Sequence, residues 1–227
     1  MAGSLLSGCR HDRRIDHNSD PNCFLRGTQI LCPDGEKRIE ELQTGDHVQC
    51  IGGKIQTIRW IARRRLPSNG VADQTEPSKI ILRIPQGSLS PDVPHADLMV
   101  SAGHRILLDN VLVAASDLPF ARSMFGDEAD QILYHILLDQ HNIIFAEGAP
   151  CETLLPNKST LSAFDNAKEL EELCRSGQEF SAVPFAPALI DTGNCEKVLS
   201  YLRNAMSPWI DNRTSLDKLR DRLLPQS

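Results

Sequence analysis

One thiol, one hydroxyl and three imidazoles are the parts of this sequence from which a reaction centre could be built. Cys23 stands between a polar stretch ending in Asp20-Pro21-Asn22 and the first apolar run, Ile30-Leu31, with the turn signal Gly27-Thr28 between them. A strand needs no thiol at its start, so Cys23 either packs as a small hydrophobe or holds its position for a chemical reason. In "DLMVSAGHRILL", Ser101 and His104 lie in a short turn between two strand-like runs, a spacing that lets both side chains face one site. In "YHILLDQHNIIFAEG", His135 and His141 are an even number of residues apart and would share a face if the stretch were one extended strand. Together these are the groups that nucleophilic acyl chemistry requires. A thiolate at Cys23 with His104 and His141 nearby would also suit zinc, which would inhibit by occupying the nucleophile. Taken singly, each histidine has a plainer reading as a residue hydrogen-bonded at a turn or strand end.

Other chemistry-bearing residues have structural readings. Cys32, Cys50 and Cys151 lack a histidine or carboxylate at ligand spacing and are expected to be core or surface thiols. Asp46, in Thr-Gly-Asp, is expected to fix a turn, and Arg63-Arg64-Arg65 to form a solvated face. The seven cysteines are odd in number and scattered without a C-x-x-C pair, so neither a disulfide framework nor a zinc knuckle is expected. Cys9 in "MAGSLLSGC" resembles a lipoprotein cleavage box but lacks the charged and apolar regions of a signal peptide. A net charge of -6, with no aromatics among the basic residues, argues against nucleic acid. No apolar stretch is long enough to span a membrane, so a soluble protein is expected, cytoplasmic or secreted.

The elements that must position these groups follow from the hydrophobic pattern. Residues 1–22 hold almost nothing apolar after Leu6 and are expected to be a flexible leader. From residue 23 to 154, short apolar runs alternate with turn chemistry: "TQILC" before Asp34-Gly35, "HVQCI" before Gly52-Gly53, then "KIQTIRWIA". After a Pro- and Ser-rich loop between Leu66 and Ala96 come "DLMVS", "RILL", "VLVAA", "QILYHILL" and "NIIFA", with no amphipathic helix among them, which predicts a mainly β domain. Residues 155–227 change character. Leu161, Phe164, Ala167 and Leu170 recur at helical spacing behind Ser159-Thr160, with Gly177 as a stop. Two further stripes, Val198-Leu202-Ala205 and Leu216-Leu219-Leu223, extend the prediction to a helical C-terminal extension whose protein partner is unknown.

The order of the pieces resembles a known superfamily. "CFLRGTQILCPDGEKRIEELQTGDHV" is similar to the opening block of Hedgehog/intein (Hint) domains, "DLMVSAGHR" to their second block, usually Thr-x-x-His, and "YHILLDQHNIIFAEG" to their late strand pair. The likeness is closest to the compact bacterial Hint domains of alphaproteobacterial type, whose late block ends in a glycine and then Glu-Ser. Here the ending is Gly148 and then Glu152-Thr153. The resemblance implies a horseshoe-like, hairpin-rich β fold and self-processing, with no cofactor or metal. The Cys23 thiol would attack the carbonyl before it and turn the Asn22-Cys23 bond into a thioester, which water or a small thiol then cleaves. The chain's own N-terminal segment is thereby its substrate. His104 would protonate the departing nitrogen, Ser101 would hold the scissile amide in place of the usual threonine, and His141 would support the acid-base site. Asn22, Thr28 and His135 would take supporting places. Splicing inteins end in His-Asn, whereas after Gly148 this chain reads "APCETLLP", so N-terminal cleavage without splicing is expected. The alternative is an unreactive Hint-like module for binding or secretion of an attached partner.

Overall fold

Alternating burial along short strands builds two six-stranded sheets, and the candidate residues lie where the chain crosses from one to the other. A computed structural model describes residues 22–66, 80–124, 131–156, 162–177, 180–181 and 183–187. Numbered in chain order, the strands of the first sheet lie side by side as β11 (Arg122–Ser123), β7 (Ile81–Ile84), β8 (Leu98–Ser101), β1 (Phe24–Leu25), β12 (Gln131–Leu137) and β6 (Trp60–Leu66). The second runs β10 (Val111–Ala114), β9 (Arg105–Leu108), β14 (Ala149–Glu152), β13 (Ile143–Ala146), β2 (Gln29–Cys32) and β3 (Gly35–Arg38). A small ribbon pairs β4 (His47–Gln49) with β5 (Ile55–Thr57). The structure is mainly β, as the pattern predicts.

Two features of this topology matter for function. The short β1 is central, antiparallel to β8 on one side and β12 on the other, with Phe24 opposite both Val100 and Tyr134. Antiparallel pairing sets the start of β1 beside the ends of β8 and β12. At those ends the chain leaves the first sheet for the second, through Ala102–His104 into β9 and through residues 138–142 into β13. Cys23 is thus placed where two crossings converge.

Some elements differ from expectation. The loop predicted between Leu66 and Ala96 contains β7, an apolar strand masked in the sequence by the proline and serine residues around it. "APCE", which carries no strand signal because of Pro150, pairs as β14 with β9 and β13. "YHILLDQHNIIFA" is not one extended strand: β12 ends at Leu137 and β13 begins at Ile143. The parity argument for His135 and His141 therefore fails, and their proximity has another cause, given below.

The main core lies around Phe24, Ile30, Ile84, Leu98, Ile106 and Ile136. A second cluster gathers Cys23, Trp60, Leu133 and Leu137 under Phe164 and Leu170, the latter on α1 (Ala167–Arg175). Helix α1 begins later than the predicted start behind Ser159-Thr160. Phe164 instead occupies a turn, edge-on to Trp60 at 5.7 Å, and Gly177, at a φ of +91°, follows the helix end. The extension also caps the free edge of β6: Asn166 Oδ1 and Asp165 Oδ2 accept the Arg63 and Arg65 N–H groups, each at 2.8 Å. Residues 1–21 and the two further helical stripes lie outside the described residues. Among the described residues, no helix is long and apolar enough to cross a membrane.

Candidate functional site

The site grows outward from the backbone of Cys23. Its N–H donates to Ser101 Oγ at 2.8 Å, and its carbonyl accepts the Ser101 N–H at 2.9 Å, so serine clasps the residue from both sides. The turn that carries Ser101 is closed by the His104 N–H, which donates to the Ser101 carbonyl at 3.0 Å. This places the His104 ring against Phe24, with centroids 4.2 Å apart. The His135 ring lies 5.1 Å from that of His104 and 5.8 Å from Phe24. Extending the β1–β12 register by one residue sets His135 opposite Cys23.

Burial dominates the electrostatics here. Cys23 and His104 are fully buried. Desolvation pushes the Cys23 thiol up to about 12, opposed by the nearby positive charge of Arg64. Desolvation likewise pulls His104 down to about 4, so its imidazole is neutral at physiological pH. His135 is held well below its ordinary value by burial, with the charges of His104 and His141 adding to it. Both ring nitrogens of His104 and Nδ1 of His135 are buried without a hydrogen-bond partner among the described residues. Such groups are costly to hold and free to exchange protons with a reacting neighbour.

A second layer centres on Glu152, a residue that sequence reasoning placed in a motif but gave no role. Its Oε1 accepts from Asn22 Nδ2 at 2.6 Å and from the Arg105 N–H at 3.2 Å. Arg105 Nη1 lies 3.6 Å from Oε1, and His141 Nε2, buried without a hydrogen-bond partner among the described residues, lies 3.5 Å from Oε2. Burial alone would raise the Glu152 carboxyl, but the contact with His141 and the charges of Arg105 and His104 hold it below the ordinary carboxylate value. The pairing of Cys151 with Ile106 and of Ile143 with Glu152 brings β9, β13 and β14 together at this carboxylate. His141 reaches the site from the loop before β13, not along a strand shared with His135.

His141 is oriented by the extension. The Phe185 N–H donates to its Nδ1 at 2.9 Å, which makes Nδ1 the acceptor and places the proton on Nε2, facing Glu152. The strap that supplies this bond is tied down on either side, by the Ser181 N–H to the Asp139 carbonyl at 3.1 Å and by the Leu112 N–H to the Pro187 carbonyl at 3.0 Å.

The remaining sequence candidates separate cleanly. Thr28 lies at the far end of β1, where its hydroxyl donates to the Leu25 carbonyl at 2.7 Å and holds the turn into β2. Asp46 Oδ2 accepts the Gln43 N–H at 2.8 Å, the turn role expected of it. Cys32, Cys50 and Cys151 are buried. Cys23, His104 and His141 do not converge as a zinc site, since no group of three or more His, Cys, Asp or Glu residues among those described is arranged to hold a metal. Arg64 does not belong to a wholly solvated face: its Nη1 is buried without a partner among the described residues, and its charge acts on Cys23. The sequence signal for Arg64 was present but weak, an arginine on a strand two residues after the apolar Ala62.

The family model described as "Hint domain" matches residues 22–158. Among solved structures, the chain is similar to a bacterial intein-like domain from Clostridium thermocellum, at 15% identity and a TM-score of 0.43, covering 58% of this chain and 98% of that one. It is also similar to a DnaB intein from Synechocystis sp. PCC 6803, at 8% identity and a TM-score of 0.39, covering 59% of this chain and 99% of that one. No curated protein matches the chain.

Proposed function

Since this chain belongs to the Hint domain family, whose members generally process themselves, we propose that it cuts its own backbone between Asn22 and Cys23 by an N-to-S acyl shift, without splicing. The observation that carries this reading is the 2.8 Å hydrogen bond from the Cys23 N–H to Ser101 Oγ. It holds the nitrogen that must leave, next in the chain to Phe24, whose ring meets those of His104 and His135, and these imidazoles have ring nitrogens without a partner among the described residues.

The first step is an isomerisation. Cys23 Sγ bonds to the Asn22 carbonyl carbon, the bond from that carbon to the Cys23 nitrogen breaks, and the thiol proton ends on the new amine. Arg64 favours the developing thiolate. His104, neutral at rest, takes the thiol proton and then passes a proton to the departing nitrogen. An imidazolium whose pKa is near 4 is a strong acid toward an α-amine, whose ordinary pKa is about 8, so the transfer runs downhill. Ser101 keeps the nitrogen in place throughout. Water or a small thiol then attacks the thioester carbonyl, Cys23 Sγ leaves, and the N-terminal segment is released.

Cleavage without splicing is supported at the other end of the domain. The segment after Gly148 is paired into the second sheet as β14. His141-Asn142 does not end a chain segment: the Asn142 N–H donates to Thr153 Oγ1 at 2.9 Å, and its Oδ1 accepts the Ile143 N–H at 2.8 Å. The burial that pushes the Cys23 thiol up is the observation that favours the alternative of an inactive module.

Intact-protein mass spectrometry decides between them. After incubation at neutral pH, the chain is expected to lose residues 1–22, faster with a small thiol or hydroxylamine, and not at all as Cys23→Ala. An unchanged mass under every condition would leave the inactive module.

A further inference from the structure

We infer that the fold contains a binding subsite for the side chain on the acyl side of the cut, a slot walled by Gly103 and Glu152 that accepts a short primary carboxamide. This deepens the proposed self-cleavage and rests on it. The occupant is Asn22. A carboxylate only accepts hydrogen bonds, so the 2.6 Å contact with Glu152 Oε1 fixes which end of the carboxamide faces it: Nδ2 toward Glu152, Oδ1 away. Oδ1 then lies against Gly103, where a Cβ would stand 2.7 Å from it and 3.8 Å from Asn22 Cγ. Gly103 is not in the left-handed region that demands glycine, so room for the neighbouring side chain is what the missing Cβ supplies.

The slot discriminates by charge and by length. Glu152 is already surrounded by Arg105 and His141, and what it lacks on the Asn22 side is a neutral donor. An aspartate at position 22 would set two carboxylates against each other, and a longer amide would be driven into Gly103 or away from Glu152. Because the same carboxylate faces His141, the residue being cut off is in electrostatic contact with the proposed acid-base group. Gly103 and Glu152 are thus specificity-determining residues, which touch the segment that leaves and not the atoms that react.

The test crosses the two walls with the occupant in the full chain. Gly103→Ala is expected to slow loss of residues 1–22 by about tenfold or more, the consequence of stripping a buried hydrogen bond. In an Asn22→Gly background, where no side chain meets the new methyl group, the same substitution should change the rate by less than about twofold. Asn22→Asp should slow cleavage at neutral pH by at least as much as Gly103→Ala. Equal slowing by Gly103→Ala in both backgrounds, or cleavage of Asn22→Asp at the original rate, would overturn the subsite. The same pairs are also made in an uncleavable Cys23→Ala chain and melted. Gly103→Ala should lower Tm with Asn22 present and not with Asn22→Gly. A chain that never cleaves yet shows this coupling would refute the self-cleavage reading and keep the slot; cleavage without coupling would do the reverse.

Discussion

At the scale of single residues, two buried groups set the pH profile of the proposed reaction. A thiol held near 12 by burial is almost wholly protonated at neutral pH, and its thiolate fraction grows about tenfold for each pH unit below that value. Because His104 hands the thiol's proton on to the nitrogen, the acyl shift takes up no proton from solvent, and its rate should stay level from pH 6 to 9. His104, already neutral, should add no inflection near 6.5. Arg64→Gln, which removes the opposing positive charge, should lower the rate at every pH by roughly tenfold. A rate that climbs with pH and levels off near pH 8.5 would mean that the reacting thiol is not the buried one described here. Cys23, Ser101 and His104 were legible in the sequence because each sits in a local pattern that carries its own context. Glu152, Gly103 and Arg64 were not, because their neighbours are supplied by strand register, and register is a long-range property.

Elements were legible wherever alternation was clean. β2, β8, β9 and β13 follow directly from their apolar runs, whereas β7 and β14 were hidden by the prolines around or within them. The break between β12 and β13 could not be seen, since "LLDQHNII" is apolar enough at both ends to pass for one strand. The strap through Phe185 was also invisible, although "SAVPFAPALIDTG" marked it as a linker, because its contribution is a backbone N–H that no side chain announces. Phe185→Pro deletes that donor while keeping an apolar residue. His141 should then lose its fixed tautomer, visible as averaging of its two ring 15N shifts, and cleavage should slow by several-fold. Unchanged 15N shifts would show that Glu152 and the surrounding packing hold the ring unaided.

For the whole molecule, the buried imidazoles make acid an early threat. His104 in the unfolded chain binds a proton below about 6.5, but in the folded protein only below about 4. The unfolded state therefore holds more protons throughout that window. Stability from this group is complete above pH 6.5 and is lost as pH falls toward 4. A shift of this size is worth about 3 kcal/mol by linkage, and His135, moved the same way, steepens the loss. Urea melts should show stability dropping between pH 6.5 and 5, before most carboxylates titrate, and His104→Gln should flatten that slope. Equal midpoints at pH 7 and 5 would contradict burial of neutral histidine. The sheet order itself was beyond the sequence, since nothing local says that two residues near the start will lie between strands from the middle and the end.

That central placement of β1 bears on when the proposed cut would be made. Until residues 98–101 and 131–137 exist, Phe24 has neither of its strand partners and the Cys23 amide has no serine to hold it. Until the strap has been made, His141 has no donor at Nδ1. A ribosome making this chain emits the scissile bond early and the apparatus that would break it late. Under the proposed self-cleavage, the segment ahead of Cys23 would stay attached at least until the domain behind it is made, and its release would report that this domain has finished folding.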